Sequence, residues 1–182
     1  MDLKGKRIAM IIAPEKFRDE EFFIPYNFFN EHNAEVIVFS TRRGKATGML
    51  GGSFNVEHDL SELNVDDFDA IVFVGGAGTP IVRSDNRALE IAKEAYAKGK
   101  IIGAICWSPT ILAKAGILEG KKATVWHGHD PEYNTTTDKV LEMYGAKYTG
   151  EGYTVDGMIV TANGPSNAEN YAKAIAKLLI NE

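Results

Sequence analysis

Cys106 is the only cysteine in this 182-residue chain, and its neighbours are of the types that make a thiol reactive. The run from Lys100 to Gly116 carries an apolar strand that ends at Cys106, and a helix must begin almost at once. Ser108-Pro109 suits the opening of that helix, with proline in the first turn, and Gly116 suits its end. A cysteine there sits at the carboxyl end of a central strand, where open α/β sheets bind their ligands. The partial positive charge of a helix N-terminus favours the thiolate, the reactive form of cysteine. The arrangement is the cysteine counterpart of a nucleophile elbow. The competing reading is a buried core cysteine, a common structural role for this residue.

Two further segments bear on that choice. Ala70-Ile-Val-Phe-Val-Gly75-Gly76-Ala-Gly-Thr79 is a strand running into a glycine-rich turn at the same end of the sheet. Glycines there let backbone N–H groups approach a ligand, so Gly76 N–H and Trp107 N–H could hold a developing negative charge. A phosphate-binding turn or a plain tight turn is the alternative, although neither a Walker loop nor a well-placed dinucleotide fingerprint is present. Arg18-Asp-Glu-Glu21-Phe-Phe-Ile-Pro25 follows the first strand. Acidic residues at a helix start complement the helix dipole, but one facing inward beside a thiol would have a raised pKa and could shuttle a proton. His127 and His129, an His-x-His pair, would share one face of a strand. With Asp130 they could ligate a metal, but lining a polar cleft is the preferred reading, so no metal or other cofactor is expected. His32 and His58 fall in surface segments. Trp107 and Trp126 suit a pocket wall or lid, and equally core or interface packing.

The elements that must position these residues follow the βαβ pattern of a parallel sheet covered on both faces. Strands are expected at Arg7–Ala13, Glu35–Ser40, Ala70–Val74, Ile101–Cys106, Ala123–Trp126 and Met158–Thr161. Gly-rich alternation between Lys45 and Asp59 predicts a hairpin, and a second is expected over Lys147–Val155, turning near Gly150. Apolar spacing predicts helices over Asn86–Lys98 and Asn167–Leu179, the latter opened by a Ser166/Glu169 capping box. A helix over Glu21–Glu31 should begin close to Glu21, because Pro25 belongs in a first turn.

Bulk properties narrow the class. Length and the lack of linkers or repeats predict one domain over residues 1–182. The composition, 45% hydrophobic and 25% charged, supports a core. A net charge of −5 without a basic stripe argues against nucleic-acid binding, and the apolar runs are strand-sized, which argues against a membrane partner. One cysteine cannot form an internal disulfide, and the N-terminus leads straight into a strand, so a cytoplasmic protein is expected.

In order and spacing, Glu21 four residues before Pro25, the Val74-Gly75-Gly76 turn, Ala104-Ile-Cys106 with Pro109, and Ala162-Asn-Gly164-Pro165-Ser166 resemble the ThiJ/PfpI family. This is the superfamily of the parkinsonism-associated deglycase and the PfpI-type intracellular peptidases. The resemblance covers nearly the whole chain. It implies a flavodoxin-like three-layer sandwich, a mostly parallel sheet with helices on both faces, related to class I glutamine amidotransferases and self-associating as a dimer or hexamer. It places the family cysteine on Cys106, its acidic partner on Glu21 and the oxyanion glycines on Gly75 and Gly76. PfpI-type peptidases carry a histidine after the cysteine, where this chain has Trp107. The histidine that deglycase-type members bring from the next strand falls on His127, in preference to His129. The resemblance thus implies a cysteine enzyme acting on small reactive carbonyls in a glyoxalase- or deglycase-like way. The alternatives are a peptidase or amidase acting on peptide-like substrates, a redox-responsive stress protein or holdase, and, from the fold alone, a nucleotide or flavin binder.

Overall fold

The structure, a computed structural model, describes residues 1–181. Its centre is a seven-stranded sheet of β1 (Arg7–Ile11), β2 (Glu35–Ser40), β3 (His58–Asp59), β4 (Ala70–Phe73), β5 (Ile101–Ile105), β6 (Tyr153–Asp156) and β7 (Ile159–Ala162). The spatial order is β6-β7-β5-β4-β1-β2-β3, and every pairing is parallel except β6 with β7. The five long parallel strands therefore run 2-1-3-4-5, the flavodoxin-like order expected from the resemblance. β4 and β5 are buried at every position, as strands covered on both faces must be.

The helices are α1 (Asp19–Glu31), α2 (Thr79–Arg83), α3 (Asn86–Ala97), α4 (Pro109–Lys114), α5 (Thr137–Met143) and α6 (Ala168–Ile180). Helices α1 and α6 pack on each other and on the sheet, while α2, α3 and α4 form a second group against β5. Ala88, Ile91, Ala92 and Ala95 of α3 and Tyr171, Ala172, Ile175 and Leu179 of α6 are the buried faces that their spacing predicts. Outside the sheet, Gly44–Gly48 and Ser53–Val56 form the expected first hairpin, which pairs with Glu15–Phe17.

Four local expectations are corrected. The strand at Ala123–Trp126 shrinks to Lys122–Ala123, which pairs with Lys147–Tyr148 and not with the central sheet. Beyond Ala123 the backbone donors turn to other acceptors: Thr124 N–H donates to Thr161 Oγ1 at 3.0 Å and Trp126 N–H to the Cys106 carbonyl at 2.8 Å. The second hairpin is β6–β7, not Lys147–Val155, and it turns at Gly157-Met158 and not at Gly150. Asp156 pairs directly with Ile159, and the resulting two-residue turn needs the positive φ that Gly157 supplies at 60°. The Ser166/Glu169 capping box does not form, because Pro165–Asn167 is a 3-10 turn and α6 starts at Ala168 without a side-chain cap. Helix α1 starts at Asp19, so Pro25 lies in its second turn and leaves the Glu21 carbonyl without its usual helical donor. Among the described residues no helix is long and apolar enough to cross a membrane.

Candidate active site

Cys106 follows directly on β5 and adopts φ 65°, a left-handed conformation that few non-glycine residues hold. Its surroundings enforce that geometry. Cys106 N–H donates to the Ala162 carbonyl at 2.8 Å, and its own carbonyl accepts from Trp126 N–H. Ser108 Oγ, fully buried, accepts from Ile105 N–H at 2.8 Å and lies 3.2 Å from the Phe73 carbonyl, tying the turn to the ends of β5 and β4. The sharp strand-to-helix turn read from the sequence is thus present, with α4 opening at Pro109.

Glu21 is the third residue of α1 and is completely buried. The groups its carboxyl faces are the Cys106 thiol and the Gly75 N–H, yet neither oxygen has a hydrogen bond of good geometry. Burial dominates and pushes its pKa up to about 8, so the side chain holds a proton at neutral pH. The approach requires glycine at position 75. A Cβ there would lie 2.6 Å from the Cys106 Cβ and 2.7 Å from Glu21 Oε1, and would strike the Ile105 carbonyl. Gly76, at φ 108°, packs against the Lys16–Arg18 backbone. The N–H groups of Gly76 and Trp107 face the Cys106 sulfur, the pair anticipated for stabilising an anion.

The thiol itself is raised above the ordinary range, first by burial and then by negative charge on Glu21, with the two N–H groups opposing. A helix N-terminus by itself would lower it. α4 has only six residues, and desolvation of the buried side chain outweighs its dipole. A proton on Glu21 removes the neighbouring charge and supplies a donor, so the thiolate and the protonated carboxyl are compatible where two anions are not.

A cavity of about 280 Å³ opens over the sulfur. Its walls include Met49, Ala77, Trp107, Trp126 and Pro165, and Arg18 brings the one charged side chain among the lining residues. The two indoles sit 5.3 Å apart at 45°, so both tryptophans are pocket wall. Arg18 is paired with Glu20 at 2.9 Å, and its N–H bonds the Gly75 carbonyl. Met49 comes from the tip of the first hairpin. That tip is held by Asp19, whose carboxylate accepts from Leu50 N–H and Gly52 N–H, each at 2.8 Å.

The histidines lie elsewhere. His127 is 64% exposed with Nε2 3.5 Å from Asp138 Oδ1, and His129 is exposed on a two-residue strand beside Thr136. Neither lines the Cys106 cavity. Trp126 turns its ring inward at the segment's end, and Gly128 packs against that ring. Asp130 is not free to ligate a metal with the histidines, since both its oxygens are bound by Arg83, at 2.6 and 3.0 Å. Sequence reasoning missed Arg18 and Met49 as wall residues and missed the buried Arg83–Asp130 pair. The latter are 47 residues apart and meet only through folding, so no local pattern could have revealed them.

Fold and site together define a class: parallel α/β sandwiches with a strained cysteine beyond a central strand, facing a buried glutamate and a glycine turn. The DJ-1/PfpI family model matches residues 6–178, and the chain belongs to that family. A deglycase of Pyrococcus abyssi is 34% identical over 171 residues, 94% of this chain and 98% of the relative. Deglycase PfpI of Pyrococcus furiosus is 32% identical over 170 residues, 93% of this chain and 98% of the relative. Among solved structures, a ThiJ/PfpI domain protein from Brachyspira murdochii superposes with a TM-score of 0.87 at 32% identity, covering 97% of each chain.

Proposed function

We propose that this protein is a cysteine-dependent enzyme acting on small reactive carbonyls, in the manner of a glyoxalase or deglycase. One observation carries the reading: a strained Cys106 shares its pocket with a buried Glu21, whose carboxyl pKa is pushed up to about 8 by burial, and with two backbone N–H donors. The deglycase names of its relatives are consistent with it. Attack of the Cys106 sulfur on an aldehyde carbon would form a C–S bond and place negative charge on oxygen, beside the Gly76 and Trp107 N–H groups. In this reading Glu21 would pass the protons, supported by its burial beside the thiol. For methylglyoxal, moving one hydrogen from the aldehyde carbon to its neighbour converts the hemithioacetal to a thioester. Water then releases lactate and restores the thiol. The cavity volume and its largely apolar wall suit a small substrate.

Peptide or amide hydrolysis needs an acid for the leaving amine. Glu21 could give its proton, but Trp107 stands beside the cysteine, and the contact of His127 is with Asp138. A redox role is the second reading, favoured by one feature: the protonated Glu21 carboxyl could hydrogen-bond a Cys106 sulfinate. Incubation with methylglyoxal separates the readings. Lactate formation that disappears in Cys106→Ala supports the enzyme. No turnover, with clean conversion of Cys106 to sulfinic acid under mild peroxide, would replace it with the redox role.

A further inference from the structure

The pair Arg83–Asp130 is the most deeply buried ion pair among the described residues, with both side chains fully inaccessible. Such pairs contribute little net stability compared with an apolar replacement, so a structural role alone explains it poorly. Its connections point in one direction. Asp130 Oδ2 accepts from the Trp107 indole N–H at 2.9 Å. Arg83 Nη1 donates to Thr110 Oγ1 at 2.9 Å, and that hydroxyl donates to the Trp107 carbonyl at 2.8 Å. Trp107 is therefore gripped twice from the same guanidinium, once at the ring and once at the main chain. Its own N–H faces the Cys106 sulfur, and its ring forms the pocket wall against Trp126.

We propose that Arg83 and Asp130 are positioning residues, which lock Trp107 so that its N–H and its indole keep their places at the Cys106 pocket. The proposal rests on the enzymatic reading for its kinetic consequence, but not for its effect on the thiol. Burial would raise the Asp130 carboxyl, but Arg83 and the indole outweigh it and hold it below the ordinary carboxylate range, so it stays an acceptor. The second branch of the network does not lead to Trp107: Arg83 also binds Glu132 at 2.7 Å and stacks 4.9 Å over the Tyr133 ring. Glu132 remains as a counter-charge when Asp130 is neutralised, which allows Asp130→Asn to fold.

The test compares Asp130→Asn and Trp107→Phe with the control Glu132→Gln. Trp107→Phe removes the indole donor and leaves the ion pair intact. For lactate formation from methylglyoxal, both test variants are expected to lose roughly 10- to 100-fold in kcat with a smaller change in KM, the scale set by slight misplacement of a catalytic group. The pH profile of Cys106 alkylation by iodoacetamide is expected to move to higher pH in both, because a thiolate donor is displaced. Glu132→Gln is expected to keep the wild-type kcat and alkylation profile while melting at lower temperature. The proposal is overturned if Trp107→Phe keeps the wild-type alkylation profile, or if Glu132→Gln shifts it as much as Asp130→Asn does. Should the wild type turn over no carbonyl, the enzymatic reading fails by itself, and the alkylation profiles still decide the positioning role.

Discussion

Glu21 and Cys106 carry opposite demands at the same spot, and protonation reconciles them. A carboxyl raised from 4.5 to about 8 binds a proton in the folded state across a window where the unfolded chain has released it. Its contribution to stability is complete below about pH 4.5 and is lost as pH rises through 8, at about 1.4 kcal/mol per pH unit within that window. Glu21→Gln cannot titrate. Its melting temperature is therefore expected to fall less than that of the wild type between pH 5 and about 8, which parallel thermal melts would show. A second residue-scale expectation concerns Gly75. Gly75→Ala drives a methyl into the Cys106 and Glu21 side chains and the Ile105 carbonyl, and should cost about 1–3 kcal/mol or more. Urea titration measures that loss, and a variant as stable as the wild type would contradict the packing described. At this scale the sequence was informative: Cys106, Glu21, Gly75, Gly76 and Trp107 all meet. His127 and His129 do not join them, since alternation along the chain turns Trp126 inward and leaves His127 to solvent.

Among the elements, the site depends on how two joints are tied. Ser108 closes the joint between β5 and α4 by bonding Ile105 and reaching the end of β4. Ser108→Ala removes the hydroxyl's bonds to the Ile105 main chain, at an expected cost of about 0.5–1.5 kcal/mol per bond in equilibrium unfolding. Asp19 closes the other joint, between α1 and the first hairpin. Asp19→Ala removes both main-chain bonds to the tip that carries Met49. Faster hydrogen exchange at residues 49–52 is expected, with a higher KM and little change in kcat. Helices α3 and α6 were legible because a 3.6-residue period needs no tertiary information. The segment after Ala123 was not: its alternation suits a strand, but its donors find partners at Cys106 and Thr161 that only the fold brings near. The start of α1 at Asp19 was likewise hidden, because Asp19 engages a hairpin tip distant in sequence.

For the whole molecule, the sandwich brings the active-site turn and the helical layer together around β5. Gly103 lies at the middle of that strand, where a Cβ would sit 2.5 Å from the Tyr171 hydroxyl and 2.7 Å from Ile175 Cδ1. Gly103→Ala should push α6 away from the sheet, destabilise the protein by about 1–3 kcal/mol and loosen the elbow two residues on from Ala104. A paired measurement of the thermal melt and of Cys106 alkylation rate would register both effects. By itself the sequence determined the α/β class with a parallel sheet and the cysteine turn with its glycine neighbour, since these follow from periodicity, punctuation and local backbone chemistry, whereas the flavodoxin-like strand order was implied only by the family resemblance. Only the tertiary structure decided that Glu21 is buried against the thiol, that burial raises the thiol despite the helix behind it, and that Arg83 and Asp130 grip Trp107. Desolvation and long-range pairing depend on what surrounds a side chain in space, and that is settled only when the layers close.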